Sequence, residues 1–281
     1  MFKDLTPTDI CPHPPALITI PPTLSIKKTL ELLDTYKIHC VPITSHNDPS
    51  HIVAMIDTLD IIDYCARVPL VQGSLHEPID VLIPLEAERE SYVLHNVDIQ
   101  DSIHKLLKGF SGRTHRVLVV DYYGQSAPFI LTQTDLIRYL YTHDMSDVDV
   151  DAALDTLGLA KGRSVVTLAS NETAMTGFKR LVQHNLTSMP IVHQGRVVGN
   201  LRAYDARHVV VTDLHSLEVP VVEFLQGTKE GLLPPVTCTK QSTLRDVIGG
   251  MIQGNAHHVW VVNDERVVDV VSMTDVCSLF A

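Results

Sequence analysis

No apolar run in this chain is long enough to cross a bilayer, its five cysteines form no C-x-x-C pair, and no long basic stretch offsets a net charge of −11. The first absence argues against a membrane-spanning helix. The second leaves Cys11, Cys40, Cys65, Cys238 and Cys277 scattered in apolar contexts, where they read as reduced thiols rather than disulfides or metal ligands. The third argues against general binding to nucleic acid or to a membrane surface, so any anionic ligand has to be held by local positive groups. Pro7, Pro12, Pro14 and Pro15 break up the stretch from Met1 to Ile20, which does not read as a secretory leader. A cytoplasmic location is expected, with the nucleus as the other compartment kept open.

Catalytic signatures are missing as well. The chain has no G-x-x-x-x-G-K-[ST] loop, no G-x-G-x-x-G after a strand, no G-x-S-x-G elbow and no H-E-x-x-H. A non-catalytic protein is therefore expected. The composition, 45% hydrophobic and 20% charged, fits a globular chain of mixed helix and strand.

What the sequence does contain is a repeat. Four times a β-type apolar run passes a polar residue and reaches an aspartate that opens a helix: Asp60, Asp135, Asp205 and Asp275, spaced by 75, 70 and 70 residues. The segments are Val53 to Asp60, Pro128 to Asp135, Val198 to Asp205 and Val268 to Asp275. A second apolar run precedes each, separated by a turn segment at His46 to Pro49, Asp121 to Gly124, Gln194-Gly195 and Asn263-Asp264, which reads as paired strands. Helical patterns lie upstream, with Ile26, Leu30 and Leu33 on one face, then Ile103, Leu106, Leu107 and Phe110, then Phe178, Leu181 and Val182, then Leu244, Val247, Ile248, Met251 and Ile252. Thr23, Asp98, Asn171 and Ser242 stand in capping positions. A unit of about 50 to 60 residues buries too little surface to fold well alone, so pairing of units is expected. The limits read as 1–70, 71–145, 156–215 and 216–281. Between the pairs, the Asp-rich stretch from Asp144 to Asp155 reads as a solvated linker ending in a short helix.

A carboxylate at the first turn of a helix can accept hydrogen bonds from two adjacent hydroxyls, as a ribose diol presents them. The preceding Thr or Ser can reach a phosphate or sugar oxygen, and strand-end backbone can read an adenine edge. The alternative is that each Asp only caps its helix. The second and fourth repeats keep the hydroxyl as Thr132 and Ser272, and Asp275 with Ser272 is the best example. The first repeat has Asp57 in that place, which would repel a phosphate, and the third has Arg202, which can pair with one or fill the pocket. His115 and Arg116 begin the first strand of the second repeat's pair, His257 and His258 that of the fourth, and His39 that of the first. Histidines beside phosphate would favour their cationic form. His257 and His258 point to opposite faces of one strand, which disfavours a shared metal, and no metal site is expected.

The order helix, strand, strand, Thr/Ser-x-x-Asp, helix resembles the CBS domain, a module that works in tandem pairs. Four copies resemble the regulatory gamma-subunit family of AMP-activated protein kinase, in Thr23 to Lys28, Thr114 to Val117, Leu181 to His184, Arg196 to Val198, Ala256-His257, Val270 to Asp275, and the opening Phe2-Lys3 to Cys11-Pro12. The resemblance implies an α+β fold of β-α-β-β-α units, arranged as two tandem pairs, 1–145 and 156–281, in a flat disc. It implies AMP, ADP or ATP as ligands and kinase alpha and scaffold beta subunits as partners. By resemblance, ribose and loop contacts fall to Asp60, Thr132, Asp135, Ser170, Asp205, Ser272, Thr274 and Asp275, and phosphate contacts to His39, His115, Arg116, Arg202, His257 and His258. The animal gamma subunit lacks the aspartate of its second repeat, whereas Asp135 is present here. A stand-alone adenylate sensor and a ligand-free scaffold are the other readings.

Overall fold

The computed structural model describes residues 4–67, 74–83, 95–112, 114–143, 148–208 and 214–281. All four repeats share one plan. The first contains α2 (Ile26–Tyr36), β1 (Cys40–Thr44), β2 (Ile52–Asp57) and α3 (Thr58–Arg67), after a short α1 (Pro7–Ile10). The second contains β3 (Asn96–Asp98), α4 (Ile103–Phe110), β4 (Arg116–Val120), β5 (Phe129–Thr132) and α5 (Gln133–Thr142). The third runs β6 (Leu168–Ala169), α6 (Ala174–Gln183), β7 (Ser188–His193), β8 (Arg196–Arg202) and a 3-10 helix, Ala203–His208; α7 (Val221–Gln226) follows. The fourth has β9 (Thr237–Cys238), α8 (Leu244–Gln253), β10 (His258–Asn263), β11 (Arg266–Ser272) and α9 (Met273–Ser278).

In the last three repeats the first strand runs parallel to the second and the second pairs antiparallel with the third. In the first repeat the parallel strand shrinks to a single bridge between Ile20 and Ile43. Two hairpins close through paired left-handed residues, Gln194 (φ 49°) with Gly195 (φ 84°) and Asp264 (φ 47°) with Glu265 (φ 63°), the twist that two-residue hairpin loops require.

The apolar helix faces read from the sequence are the ones that bury: Ile26, Leu30, Leu33, Ile103, Leu106, Leu107, Phe110, Phe178, Leu181, Leu244, Val247, Ile248 and Met251 are all core residues. The caps sit further along than the sequence suggested. Ser25, Ser102, Thr173 and Thr243 are the N-cap residues, because the earlier polar residues serve the turns before them. Asp98 takes the Gln100 amide at 2.8 Å and Ser242 takes the Thr239 amide at 3.0 Å.

The first amide inside each of these helices has no intrahelical acceptor, and its partner comes from a segment leading into another repeat. Ile103 N donates to the carbonyl of Leu5 (2.8 Å), Ile26 N to Glu77 (2.9 Å), Leu244 N to Ala152 (3.3 Å) and Ala174 N to Val219 (3.1 Å). The segment preceding repeat one thus serves repeat two, and the segment preceding repeat two serves repeat one. Repeats three and four exchange leaders in the same way.

The chain divides into two compact units that join alternate repeats: 1–17, 94–165 and 236–281 form one, and 18–93 with 166–235 form the other. The second and fourth repeats share a core in which Leu136 and Ile137 meet Val247, Ile248 and Val276. In the other unit Leu59 and Ile62 join Phe178, Leu181 and Leu201.

The Asp-rich segment differs from its sequence reading. Residues 144–147 lie outside the described residues, but from 148 onward the segment forms turns rather than a short helix and docks on the fourth repeat. Leu154 is 0% exposed and Leu159 and Ala160 join the same core, while Arg245 pairs with Asp151 at 2.8 Å. Leu154→Ala is expected to cost about 3 kcal/mol of stability by removing a fully buried side chain, measured as a shift in the urea midpoint; a loss under about 0.5 kcal/mol, the range of a surface substitution, would return the segment to the status of a solvated linker.

Candidate functional site

Each repeated aspartate is fixed by a strand end and by the turn that follows. At the end of β5 the amide and hydroxyl of Thr132 both donate to Asp135 Oδ2, at 2.9 and 2.7 Å, and the Asp135 amide donates back to Thr132 Oγ1 at 3.3 Å. This reciprocal box satisfies donors that a helix start leaves open. Ser272 and Asp275 repeat it at 2.8, 2.7 and 3.2 Å. In the first repeat Asp60 Oδ2 accepts the Asp57 amide at 2.9 Å, and in the third Asp205 Oδ2 accepts the Arg202 amide at 2.8 Å. One oxygen of every aspartate is therefore committed to backbone.

The second oxygen separates the repeats. Asp135 is partly buried and its Oδ1 has no partner among the described residues. Asp275 Oδ1 receives Arg163 Nη1 at 2.8 Å, with Nη2 reaching Oδ2 at 3.3 Å. Asp205 Oδ1 receives Arg202 Nη2 at 2.6 Å and Nε at 3.1 Å, and the carboxylate is 1% exposed. Asp60 is 0% exposed. The pair that looked best in sequence, Asp275 with Ser272, is thus covered by a guanidinium, and Asp135 presents the accessible carboxylate.

The unit formed by repeats two and four gathers His115, Arg116, His257, His258, Thr132, Ser272 and Thr274 around two facing helix starts. Arg116 lies opposite Thr132 in the strand register and His258 opposite Ser272. The helix starts meet reciprocally: Gln133 Nε2 donates to Thr274 Oγ1 at 3.0 Å, and Thr134 Oγ1 lies 3.6 Å from Met273 Sδ and 3.5 Å from His257 Nε2. His258 Nδ1 is buried without a hydrogen-bond partner among the described residues. Burial first, then the neighbouring His257 and His115, pushes its imidazole down to about 3, against the pull of Asp275. His258 therefore stands neutral at physiological pH.

The other unit is organised around a different constraint. Arg207 is 0% exposed, and it pairs with Glu230 and, at 3.2 Å, with Asp34. Its guanidinium carbon lies 3.2 Å from the centre of the Tyr204 ring, and Tyr204 stacks on His39 at 4.1 Å. Arg202 adds a bond to Glu230 at 3.0 Å, and Lys37 one to Asp34 at 2.9 Å. Burial alone would raise Asp34, but the Lys37 hydrogen bond and charge, then Arg207, bring it below the usual carboxylate range. Burial and Arg207 hold His208 below the ordinary imidazole value. Asp205, His208 and Glu230 bring ligand atoms within 4.8 Å of one another, yet both carboxylates already serve arginines, whose charge opposes a cation. Ser170 is at the far end of its sheet from Asp205: Ala169 pairs with Val192, whereas Arg202 pairs with Ser188, and the Ser170 hydroxyl meets His193 Nδ1 at 2.8 Å.

The residues that sequence reading passed over are Arg163, Asp269, Glu230, Arg207 and Asp34. Asp269 carried a signal, since an aspartate inside a run of valines is out of place in a strand. It is 0% exposed and accepts the Gly162 amide at 2.6 Å and Arg163 Nε at 3.0 Å.

The CBS domain family matches residues 8–67, 162–212 and 231–281, more than half of the chain. The chain belongs to the CBS domain family. The unmatched stretch between 68 and 161 holds β3 to α5, so the fold supplies a fourth CBS repeat where the family match has three. Among curated proteins, the SNF1-related protein kinase regulatory subunit gamma-like PV42a of Arabidopsis thaliana is 28% identical over 171 residues, covering 54% of this chain and 48% of that protein. Protein SDS23 of Debaryomyces hansenii is 22% identical over 201 residues, covering 66% of this chain and 36% of that protein. The CBS chain thus spans less than half the length of these relatives. Among solved structures, protein MJ1225 of Methanocaldococcus jannaschii, proposed to be an archaeal homologue of g-AMPK, superposes with a TM-score of 0.77 over 99% of this chain and 100% of that one, at 17% identity. An uncharacterized conserved protein of Pyrococcus horikoshii gives 0.55 over 94% and 96%, also at 17%. These likenesses establish the fold. Among the described residues no helix of the CBS chain is long and apolar enough to cross a membrane.

The neutral His258 makes stability depend on pH. Its folded value of about 3 lies below the ordinary 6.5, so the unfolded chain binds the extra proton between those values and stability rises with pH. The contribution is complete above about pH 6.5 and is lost as pH falls towards 3. Urea unfolding of His258→Gln and of the unchanged chain from pH 7 to pH 4 is expected to show the difference in unfolding free energy shifting by about 1.4 kcal/mol per pH unit below the ordinary histidine value; parallel profiles would refute the assignment.

Proposed function

We propose that this CBS protein is a non-catalytic regulator that binds AMP, ADP or ATP and acts as the gamma-type subunit of a serine/threonine kinase, beside alpha catalytic and beta scaffold chains. The observation that carries the nucleotide reading is the state of Asp135. One oxygen closes its helix-start box and the other is uncommitted among the described residues, at a strand end whose neighbours are His115 and Arg116. A carboxylate so held is fixed in orientation before ligand arrives, so accepting two ribose hydroxyls costs little ordering. Arg116 supplies a permanent positive charge for phosphate. His258 starts neutral and offers a phosphate a hydrogen bond rather than a charge.

AMP, ADP and ATP share ribose and adenine and differ in charge and length, so only a difference in affinity between two states of the assembly can convert occupancy into regulation. The kinase role is supported by similarity to PV42a, whose name states a gamma-like regulatory subunit. A second reading is a stand-alone adenylate sensor, because the match to SDS23, whose name states no kinase subunit, spans more of this chain.

Calorimetric titration with AMP and with ATP is expected to give saturable binding that discriminates between them. Asp135→Asn keeps the capping oxygen and removes the charge; it is expected to weaken binding by about 1.5 to 3 kcal/mol, the range for hydrogen bonds to a charged group, with the unfolding midpoint nearly unchanged. Unaltered affinity in Asp135→Asn would remove Asp135 from the site, and absence of any heat from the folded chain would leave the scaffold reading. Recovery of kinase and beta-type chains with the tagged protein separates the gamma-type role from the stand-alone one.

A further inference from the structure

We infer that Arg163 is a clasp that keeps the fourth repeat's Asp275 closed to a ligand diol until the ligand displaces it. The inference rests on the nucleotide reading and adds the residue that decides whether this repeat is open. Arg163 spans two acids at once: Nε donates to Asp269 Oδ1 at 3.0 Å, Nη1 to Asp275 Oδ1 at 2.8 Å, and Nη2 to Asp275 Oδ2 at 3.3 Å and to the Val270 carbonyl. The hold extends to the backbone, where Gly162, at a φ of 77°, donates its amide to Asp269 Oδ2 at 2.6 Å. Together these contacts fill the same carboxylate edge that stands open on Asp135.

Two comparisons within the molecule identify this as a device rather than a general feature of the repeat. In the third repeat Asp205 is also neutralised by an arginine, but Arg202 lies three residues away at the end of the adjoining strand, with the Asp205 carboxylate buried. Arg163 instead comes from the chain ahead of β6, in another repeat, and its side chain is 41% exposed. The third repeat also shows what replaces the clasp. Gly231 has the φ of Gly162 (69°), Leu232 follows it as Arg163 follows Gly162, and Gly199 occupies the strand position of Asp269, so close that a Cβ there would lie 2.6 Å from Leu232 Cδ1. An apolar Leu on Gly does the packing in one repeat that Arg on Asp does in the other. Independently, His258, opposite Ser272 in the register, keeps a buried Nδ1 with no partner among the described residues, a polar atom beside Asp275 that a ligand hydroxyl can satisfy.

The double variant R163L/D269G installs the Leu–Gly pair of the third repeat, so packing is retained while Asp275 is released. Calorimetry of the full chain with adenosine, which carries the diol without phosphate, is expected to show one more site in this variant than in the unchanged protein. That site is expected to vanish with 2′-deoxyadenosine and on adding D275N. R163K keeps the charge but not the forked grip; it is expected to raise adenosine affinity at Asp275 about tenfold and serves where the double variant does not fold. A folded R163L/D269G without the added site, or a folded R163K without tighter adenosine binding, overturns the inference, whatever the unchanged chain does. Failure of the nucleotide reading leaves a different trace, the lack of any Asp135-dependent heat with AMP in the unchanged chain.

Discussion

A carboxylate has two oxygens, and in this protein the strand-to-helix junction always takes one of them. That allocation repeats at Asp60, Asp135, Asp205 and Asp275, and the character of each repeat then depends on what becomes of the other oxygen. Burial withdraws it in the first repeat, a neighbouring arginine claims it in the third, and an arginine from outside the repeat claims it in the fourth. In the second it stays both uncommitted among the described residues and reachable from solvent. Four sequences with one backbone plan thus arrive at four chemical states through the choice of a single partner.

The same economy explains the contrast between the two units. A guanidinium that is wholly buried needs compensating charge on more than one side, and Arg207 obtains it from Asp34 and Glu230 while stacking on Tyr204. Once those acids and Arg202 are bound to one another, the guanidiniums of Arg202 and Arg207 already have their counter-charges. In the other unit the facing helix starts carry Gln133, Thr134, Met273 and Thr274, small or neutral groups that leave the histidines and Arg116 near the hydroxyls of Thr132 and Ser272.

Much of the fold was legible because its signals are local. The 3.6-residue spacing of Leu244, Val247, Ile248 and Met251 and the spacing of the four aspartates both survive in the structure with their faces and roles intact. Cap positions were harder, since polar residues crowd every strand-to-helix turn and only the hydrogen bonds distinguish Asp98, which holds the turn, from Ser102, which opens the helix. The third repeat departed in detail: Asp205 opens a 3-10 helix, not an α-helix. Least legible were the partners of the candidate site. Arg163 lies 112 residues from Asp275 and 106 from Asp269, and no periodicity links them. The Asp-rich segment misled for a related reason, because its composition is that of a solvated linker while Val150, Leu154 and Leu159 carry its packing.

The exchange of leaders also bears on how such a chain can arise and be divided. A single repeat cut out at its sequence limits would carry a cover made for its neighbour and would lack the carbonyl that closes its own first helical turn. The smallest piece that carries all its own closures is a pair of chain neighbours, while the cores of that pair are completed by the repeats of the other pair. Single-repeat ancestors would have had to obtain the missing cover from a second molecule, as a reciprocal dimer.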